Sequence, residues 1–256
     1  MTGGSVLLRK EMLESWRTLR LPIVAGLFLL VGLTSPLLAK FLPEIITAAA
    51  GDQLPTIPLP TPVAVDAVSQ TWKNLAQFGA FAAIVLAMGA VSTERDRGTA
   101  AFVLSKTVSR GAFIAAKVAA IGAILALCTA LAVAVAWVYA AVLFEPLPVG
   151  GWVAMAFLAW LGLAAWAALT FLGSTVTGST VAAAGIGFGA LVLLSIASAI
   201  PNVGRFLPGG LAAPAIALAS GVPVDIGDVL APVAATVVLI AVALGGAAWS
   251  FGRQEL

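Results

Sequence analysis

The chain has 256 residues, 61% of them hydrophobic and 9% charged, with a mean hydropathy of +1.11; a soluble domain carries roughly 25% charged residues, so the surplus apolar surface has to face lipid. Thirteen basic against eleven acidic residues leave a formal charge of +2, with no basic run of the kind that holds nucleic acid. The single cysteine, Cys128, cannot form an internal disulfide, and the lack of histidine removes His general bases, His metal ligands and Ser-His or Cys-His pairs.

Segment 6–20 comes first and has helical periodicity. Leu8, Met12, Trp16 and Leu19 fall on one face, while Arg9, Lys10, Glu14, Arg17 and Arg20 fall mainly elsewhere. A basic, amphipathic, Trp-bearing helix beside a span lies in the headgroup plane; the alternative is a straight extension of the first span. Pro22 argues for a bend between the two.

Six apolar stretches follow, at 21–42, 75–91, 113–143, 152–172, 181–200 and 229–251. Crossing the hydrocarbon core takes roughly 20 residues. All six suffice, the second at the short limit, the third long enough to tilt or protrude. The first is interrupted by Pro36 and is too long for the apolar core of a cleaved signal.

The connections differ in character. Segment 43–73 contains Pro55, Pro58, Pro60 and Pro62, which favour extended backbone; 63–77 is expected to form a short polar helix leading into the second span. Segment 144–151 is a tight turn. In 173–180, Ser179 or Thr180 is a plausible helix cap. Segment 202–228 is long, apolar and rich in Gly and Pro, so it is expected to dip back into the membrane or pack on the spans. Ten of the thirteen basic residues lie before the first span, between the second and third (with Lys117 near the start of the third), or in the tail, which places those segments in the cytoplasm. The expectation is an all-α integral membrane protein forming one transmembrane domain over 1–256. It has six transmembrane helices preceded by an in-plane amphipathic helix, and both termini are cytoplasmic.

The deep parts of the spans hold no Asp, Glu, Lys or Arg, the residues that build intramembrane proton relays and aspartyl proteases. No Gly-x-x-x-x-Gly-Lys-Ser/Thr loop occurs. Gly185-Ile-Gly-Phe-Gly189 lies in mid-membrane, with no Lys and no preceding strand. Gly185 and Gly189, four apart, read as a helix-packing face, within the chain or across a dimer. Cys128 reads as a small core residue. Any energy source therefore lies outside this chain.

Segment 92–117 is the most informative. It carries the densest charge in the chain and contains Glu94, Arg95, Asp96 and Arg97, then Gly98-Thr99. Thr99 can cap a short helix over 100–105 that presents Phe102, Val103 and Leu104. Ser105 closes that helix, and Ser109 and Arg110 open the third span. Taken alone, these residues also allow a solvated charge cluster that only fixes topology.

The segment resembles the cytoplasmic loop of the type-2 ATP-binding-cassette (ABC) exporter permeases. That family carries a Glu, a Gly-Thr pair, Leu-Ser-x-Pro-Val-Ser-Arg and then a Lys in the following span. Glu94, Gly98-Thr99, Leu104-Ser105, Val108-Ser109-Arg110 and Lys117 match in order and spacing. Thr107 stands where proline is common, which loosens the turn. Arg9, Lys10, Glu11, Trp16 and Arg17 are similar to the family's N-terminal in-plane helix.

The resemblance implies a permease subunit of an ATP-driven exporter, with no catalytic, metal or cofactor site of its own. ATP and Mg would be bound by a separate ABC ATPase subunit. Glu94 to Arg97 would make polar contacts to that subunit, with Gly98, Thr99, Ser105 and Arg110 in the same loop, and Phe102 and Leu104 would form an apolar knob. A second permease chain, identical or not, would complete the substrate path. The expected partners are these two chains and the lipid bilayer of a prokaryotic plasma membrane, with no nucleic acid. The alternatives are a secondary transporter or channel acting without an ATPase, and a non-transporting membrane assembly protein.

Overall fold

The computed structural model describes residues 3–50, 61–96, 109–200 and 202–253. All regular elements among them are helical. In chain order they are α1 (Gly3–Arg17), α2 (Arg20–Ala50), α3 (Ala64–Asn74), a π-helical turn (Leu75–Gly79), α4 (Ala80–Met88), α5 (Ser92–Asp96), α6 (Arg110–Leu143), α7 (Val149–Thr177) and α8 (Thr180–Ser198). Two 3₁₀ turns follow (Gly204–Phe206, Pro208–Leu211), then α9 (Ala212–Ala219) and α10 (Ile226–Gly252). Six segments are long and apolar enough to cross a membrane, namely α2, the run Ala64–Asp96, α6, α7, α8 and α10.

Each predicted span is found, most with ends displaced outward; the third ends at Leu143 as predicted, and the fifth stops at Ser198, two residues short of the predicted 200. Burial separates centre from rim: 61% of the most apolar stretch is buried in the second and fourth spans, against 11% in the fifth and 17% in the sixth. Phe28, Ile84, Ile124, Leu125, Met155 and Phe171 fill the space between spans one to four. The surface stays apolar, with Val142, Val181, Leu193 and Val242 exposed, as lipid contact requires.

Two expectations about proline need correction. Pro36 does not interrupt the first span, and α2 continues through both Pro36 and Pro43 to Ala50. A proline removes one ladder hydrogen bond and crowds the carbonyl four residues back. Inside lipid no water can take over a broken ladder, so the helix is retained. Hydroxyls add further bonds to carbonyls of the same helix: Thr34 Oγ1 donates to the Leu30 carbonyl at 2.8 Å, Ser35 Oγ to the Val31 carbonyl at 2.6 Å, and Thr47 Oγ1 to the Pro43 carbonyl at 2.8 Å. The break before the first span lies at Leu19, with φ of 61°, rather than at Pro22. Pro22 sits in the first turn of α2, where its missing N–H breaks no bond.

The polar helix expected ahead of the second span is α3, and it runs unbroken into that span through the π-helical turn. Ser179 is the N-cap of α8, accepting from the Ala182 amide at 3.3 Å. The apolar segment between the fifth and sixth spans packs on the bundle, burying Pro208, Leu211, Ala215 and Ala219 against the fourth span and α3.

Six crossings return the chain to the end where it began. α1, residues 92–96 and 109–110, the turn between α7 and α8, and the end of α10 share this terminal end of the bundle. The 202–228 segment and α3 occupy the far end.

Candidate functional site

The terminal end carries a charged cluster whose centre is Lys117. Two turns inside α6, its side chain is only 5% exposed, and a buried ammonium needs both a counter-charge and hydrogen bonds. α5 supplies one partner: Glu94 Oε1 accepts from Lys117 Nζ at 2.9 Å. α1 supplies the other, both carboxylate oxygens of Glu11 accepting at 3.2 Å. Lys10 Nζ donates to the same Glu94 oxygen at 3.0 Å and pairs with Glu14 at 3.2 Å. The Lys117 ammonium also stands 5.0 Å from the centre of the Phe113 ring, a cation–π arrangement. The N-terminal helix, the second span and the third span are thus joined by one ionic knot.

Burial pulls the pKa of Lys10 down, but the hydrogen bond to Glu94 and the charges of Glu11, Glu94 and Glu14 outweigh it, so the net shift is upward. The carboxylates of Glu11, Glu14 and Glu94 lie within 4.8 Å of one another. That centre is already supplied with positive charge by Lys10 and Lys117. A cavity of about 420 Å³ opens beside the knot, with Lys10, Glu14, Arg20 and Thr93 in its wall and Leu86 and Ile124 in its floor.

A second set of bonds ties the end of the second span to the α7–α8 turn. The chain leaves helical geometry at Gly89 (φ −97°, ψ 5°), which frees amide donors that must find acceptors when buried. Ser174 Oγ takes two of them, from Val91 and Ser92, both at 3.1 Å. Ser92 Oγ lies 3.0 Å from Thr180 Oγ1. Arg95 Nη1 donates to the Thr175 carbonyl at 3.3 Å. Its guanidinium covers Gly178, the left-handed C-cap of α7 at φ 64°. Only glycine adopts that conformation freely.

A third set joins the third span to the last. Ser109 caps α6 by accepting from the Ala112 amide at 3.2 Å. Arg110 Nη1 then donates to the Gly252 carbonyl at 2.8 Å and the Phe251 carbonyl at 3.3 Å. One turn further on, the rings of Phe113 and Phe251 stack at 5.5 Å with an interplanar angle of 10°.

The structure brings Lys10, Glu11 and Glu94 together and turns Arg95 and Arg110 towards other spans. Arg9, Trp16, Arg17 and Asp96 are exposed. Arg97, Gly98, Thr99, Phe102, Leu104, Ser105 and the helix expected over 100–105 lie outside the described residues. Among the described residues nothing lies within 4 Å of a Cβ added at Gly185 or Gly189. The close approach within this chain falls between them, at Gly187, where a Cβ would meet Thr170 Oγ1 and, at 3.1 Å, Ile84. Sequence reasoning missed Glu14, Ser92, Ser174 and Thr175 as bonding partners. The signal within reach was Lys117, whose place inside an apolar run demands a carboxylate from another element.

The sequence model described as ABC-2 family transporter protein matches residues 5–217, from α1 through the greater part of α9. The chain is also 31% identical, over 212 residues and 79% of each chain, to the uncharacterized transmembrane protein YxlG of Bacillus subtilis (strain 168). A match from the N-terminal helix through five of the six spans, on a bundle whose loop ends converge at one face, places this chain in the ABC-2 transporter family of multi-pass membrane proteins.

Proposed function

We propose that the chain is the permease subunit of an ATP-driven exporter in a prokaryotic plasma membrane, coupled to a separate ATPase subunit that binds ATP and Mg. The terminal end of the bundle faces the cytoplasm on this reading, with α1 at the headgroup level, and a second permease chain completes the substrate path. The observation that carries the reading is the convergence on the 92–110 connection. Its first residues are bonded to α1, the third span and the α7–α8 turn, and its last residues to the end of the sixth span. A push on this connection reaches every helix end on that face. A chain without an engine of its own needs such a part, because force passes between subunits only through contacts that differ between two states.

The test is co-purification with an ATPase subunit. The Phe102→Asp, Leu104→Asp double variant is expected to lose the ATPase while the chain still inserts in the membrane. Undiminished co-purification of that variant would refute docking through this loop.

A further inference from the structure

The resemblance that frames the proposed function puts Arg110 among the residues facing the ATPase. Two of its bonds run along the membrane face to the end of the sixth span. The guanidinium donates to the Phe251 and Gly252 carbonyls, which are among the last of α10 and have no donor further along their own helix. A guanidinium at these carbonyls is a charge-assisted cap at the negative end of the helix dipole. The stacked, buried rings of Phe113 and Phe251 back it up. Charged cap and ring stack sit one turn apart on α6 and converge on Phe251 and Gly252 of α10, so the tip of α10 is held to α6 by two kinds of contact.

Beyond this contact the two spans part. An apolar cavity of about 470 Å³ lies between them, with Ala119, Gly122, Val237, Ile240 and Leu244 in its walls and Trp160 at its base. The Trp160 indole N–H donates to the Gly122 carbonyl at 3.0 Å, so it presents only apolar surface to the space. α10 is joined to α6 at its tip and has room to swing towards α6 above it. Its remaining contacts are mainly with α7.

From this arrangement we infer that Arg110 is a positioning residue, a latch that makes the sixth span follow the exit of the coupling loop, rather than a contact to the ATPase. The latch rests on the proposed function, and its experiment separates the two. The intact complex of this chain with its ATPase, in nanodiscs, is followed by hydrogen exchange with and without a non-hydrolysable ATP analogue. Peptides covering 92–112 report the loop, and peptides covering 247–253 report the tip of the last span.

In the natural chain both peptides should respond to the nucleotide. In Arg110→Gln the loop response and the bound ATPase should remain while the response at 247–253 is lost. Arg110→Lys, which keeps one charged donor, should restore part of it. Phe251→Leu, which keeps the bulk but not the stack, should weaken the tip response and serves if Arg110→Gln does not assemble. A tip that exchanges faster in Arg110→Gln yet still responds fully to nucleotide overturns the latch and leaves only a helix cap. A natural chain whose tip ignores the nucleotide overturns it as well. A loop that does not respond in the natural chain overturns the proposed function, and the latch with it.

Discussion

The two ends of the bundle are held by different physics. At the terminal end the helices are joined by charged and hydroxyl side chains: Lys117 with Glu11 and Glu94, Ser174 with two stranded amides, and Arg95 and Arg110 on carbonyls. At the far end the tightest contact is backbone on backbone. Gly151 of α7 lies against Leu218 and Ala219 of α9, and the buried Trp152 side chain fills the adjoining space. Directional bonds between long side chains can be exchanged for others in discrete steps, whereas close-packed backbones either fit or clash. The terminal end is therefore held by bonds that can be exchanged, and the far end by fit.

Breaking the ionic knot should give the largest effect. Lys117→Ala removes the central cation and strands two largely buried carboxylates, a loss of about 3 kcal/mol. Thermal melting of the detergent-solubilised protein reads this directly. Lys117→Met together with Glu11→Gln and Glu94→Gln should recover most of the loss, because no charge is then left unpaired. A single variant that melts like the natural chain would remove Lys117 from its central place.

The far end should answer to volume instead. At Gly151 an added Cβ would fall on the Leu218 carbonyl and within 2.9 Å of Ala219 Cα. Neither backbone atom can rotate aside, so Gly151→Ala should cost about 2 kcal/mol by the same melt. Gly187→Ala should cost less, about 1 kcal/mol, because the atom it crowds is the Thr170 hydroxyl on a side chain that can turn. Gly185→Ala meets open space and should leave the melting of the single chain unchanged. A drop for Gly185→Ala that appears only in the assembled transporter would place that face against another chain.

The smallest effect expected is a pH dependence. The pKa of Lys10 is raised by its docking to Glu94 and Glu11, so its contribution is complete below the ordinary lysine value and fades as pH climbs through the raised one. Its side chain is 42% exposed, and solvent screening keeps the contribution small. Exchange protection of α1 should hold from neutral pH up to the ordinary lysine value and decline only above it. A decline at neutral pH would point to some other group as the anchor of α1.

The spans were legible because a run of apolar residues of membrane length has one outcome in lipid. The Ser179 cap was legible because its signal is local. Pro36 was misread because its penalty in water was applied to a helix that has no water to turn to, and Pro22 because the first turn of a helix has no bond for it to break. Lys117 finds its partners 23 and 106 positions away, and the Val91 and Ser92 amides find theirs 83 and 82 positions away; helical period carries no information about which foreign helix meets a given face. The same blindness leaves Gly185, Gly187 and Gly189 alike in the sequence: only the arrangement of neighbours shows that Gly187 is the one approached within the described part of this chain. Arg110 was placed in the right loop, but the direction of a side chain is a property of the folded bundle.

The π-helical turn at Leu75–Gly79 has a consequence for how the chain tolerates length changes. Losing one residue from an ordinary α-helical span rotates everything beyond it by about 100° and takes one whole face out of register. A turn wound wider than α geometry already holds a surplus residue. Dropping Ala76 would let the backbone close to a regular pitch, leaving Trp72 below and Ile84 above facing their present neighbours. The second span thus contains one place where the chain can be shortened without being turned.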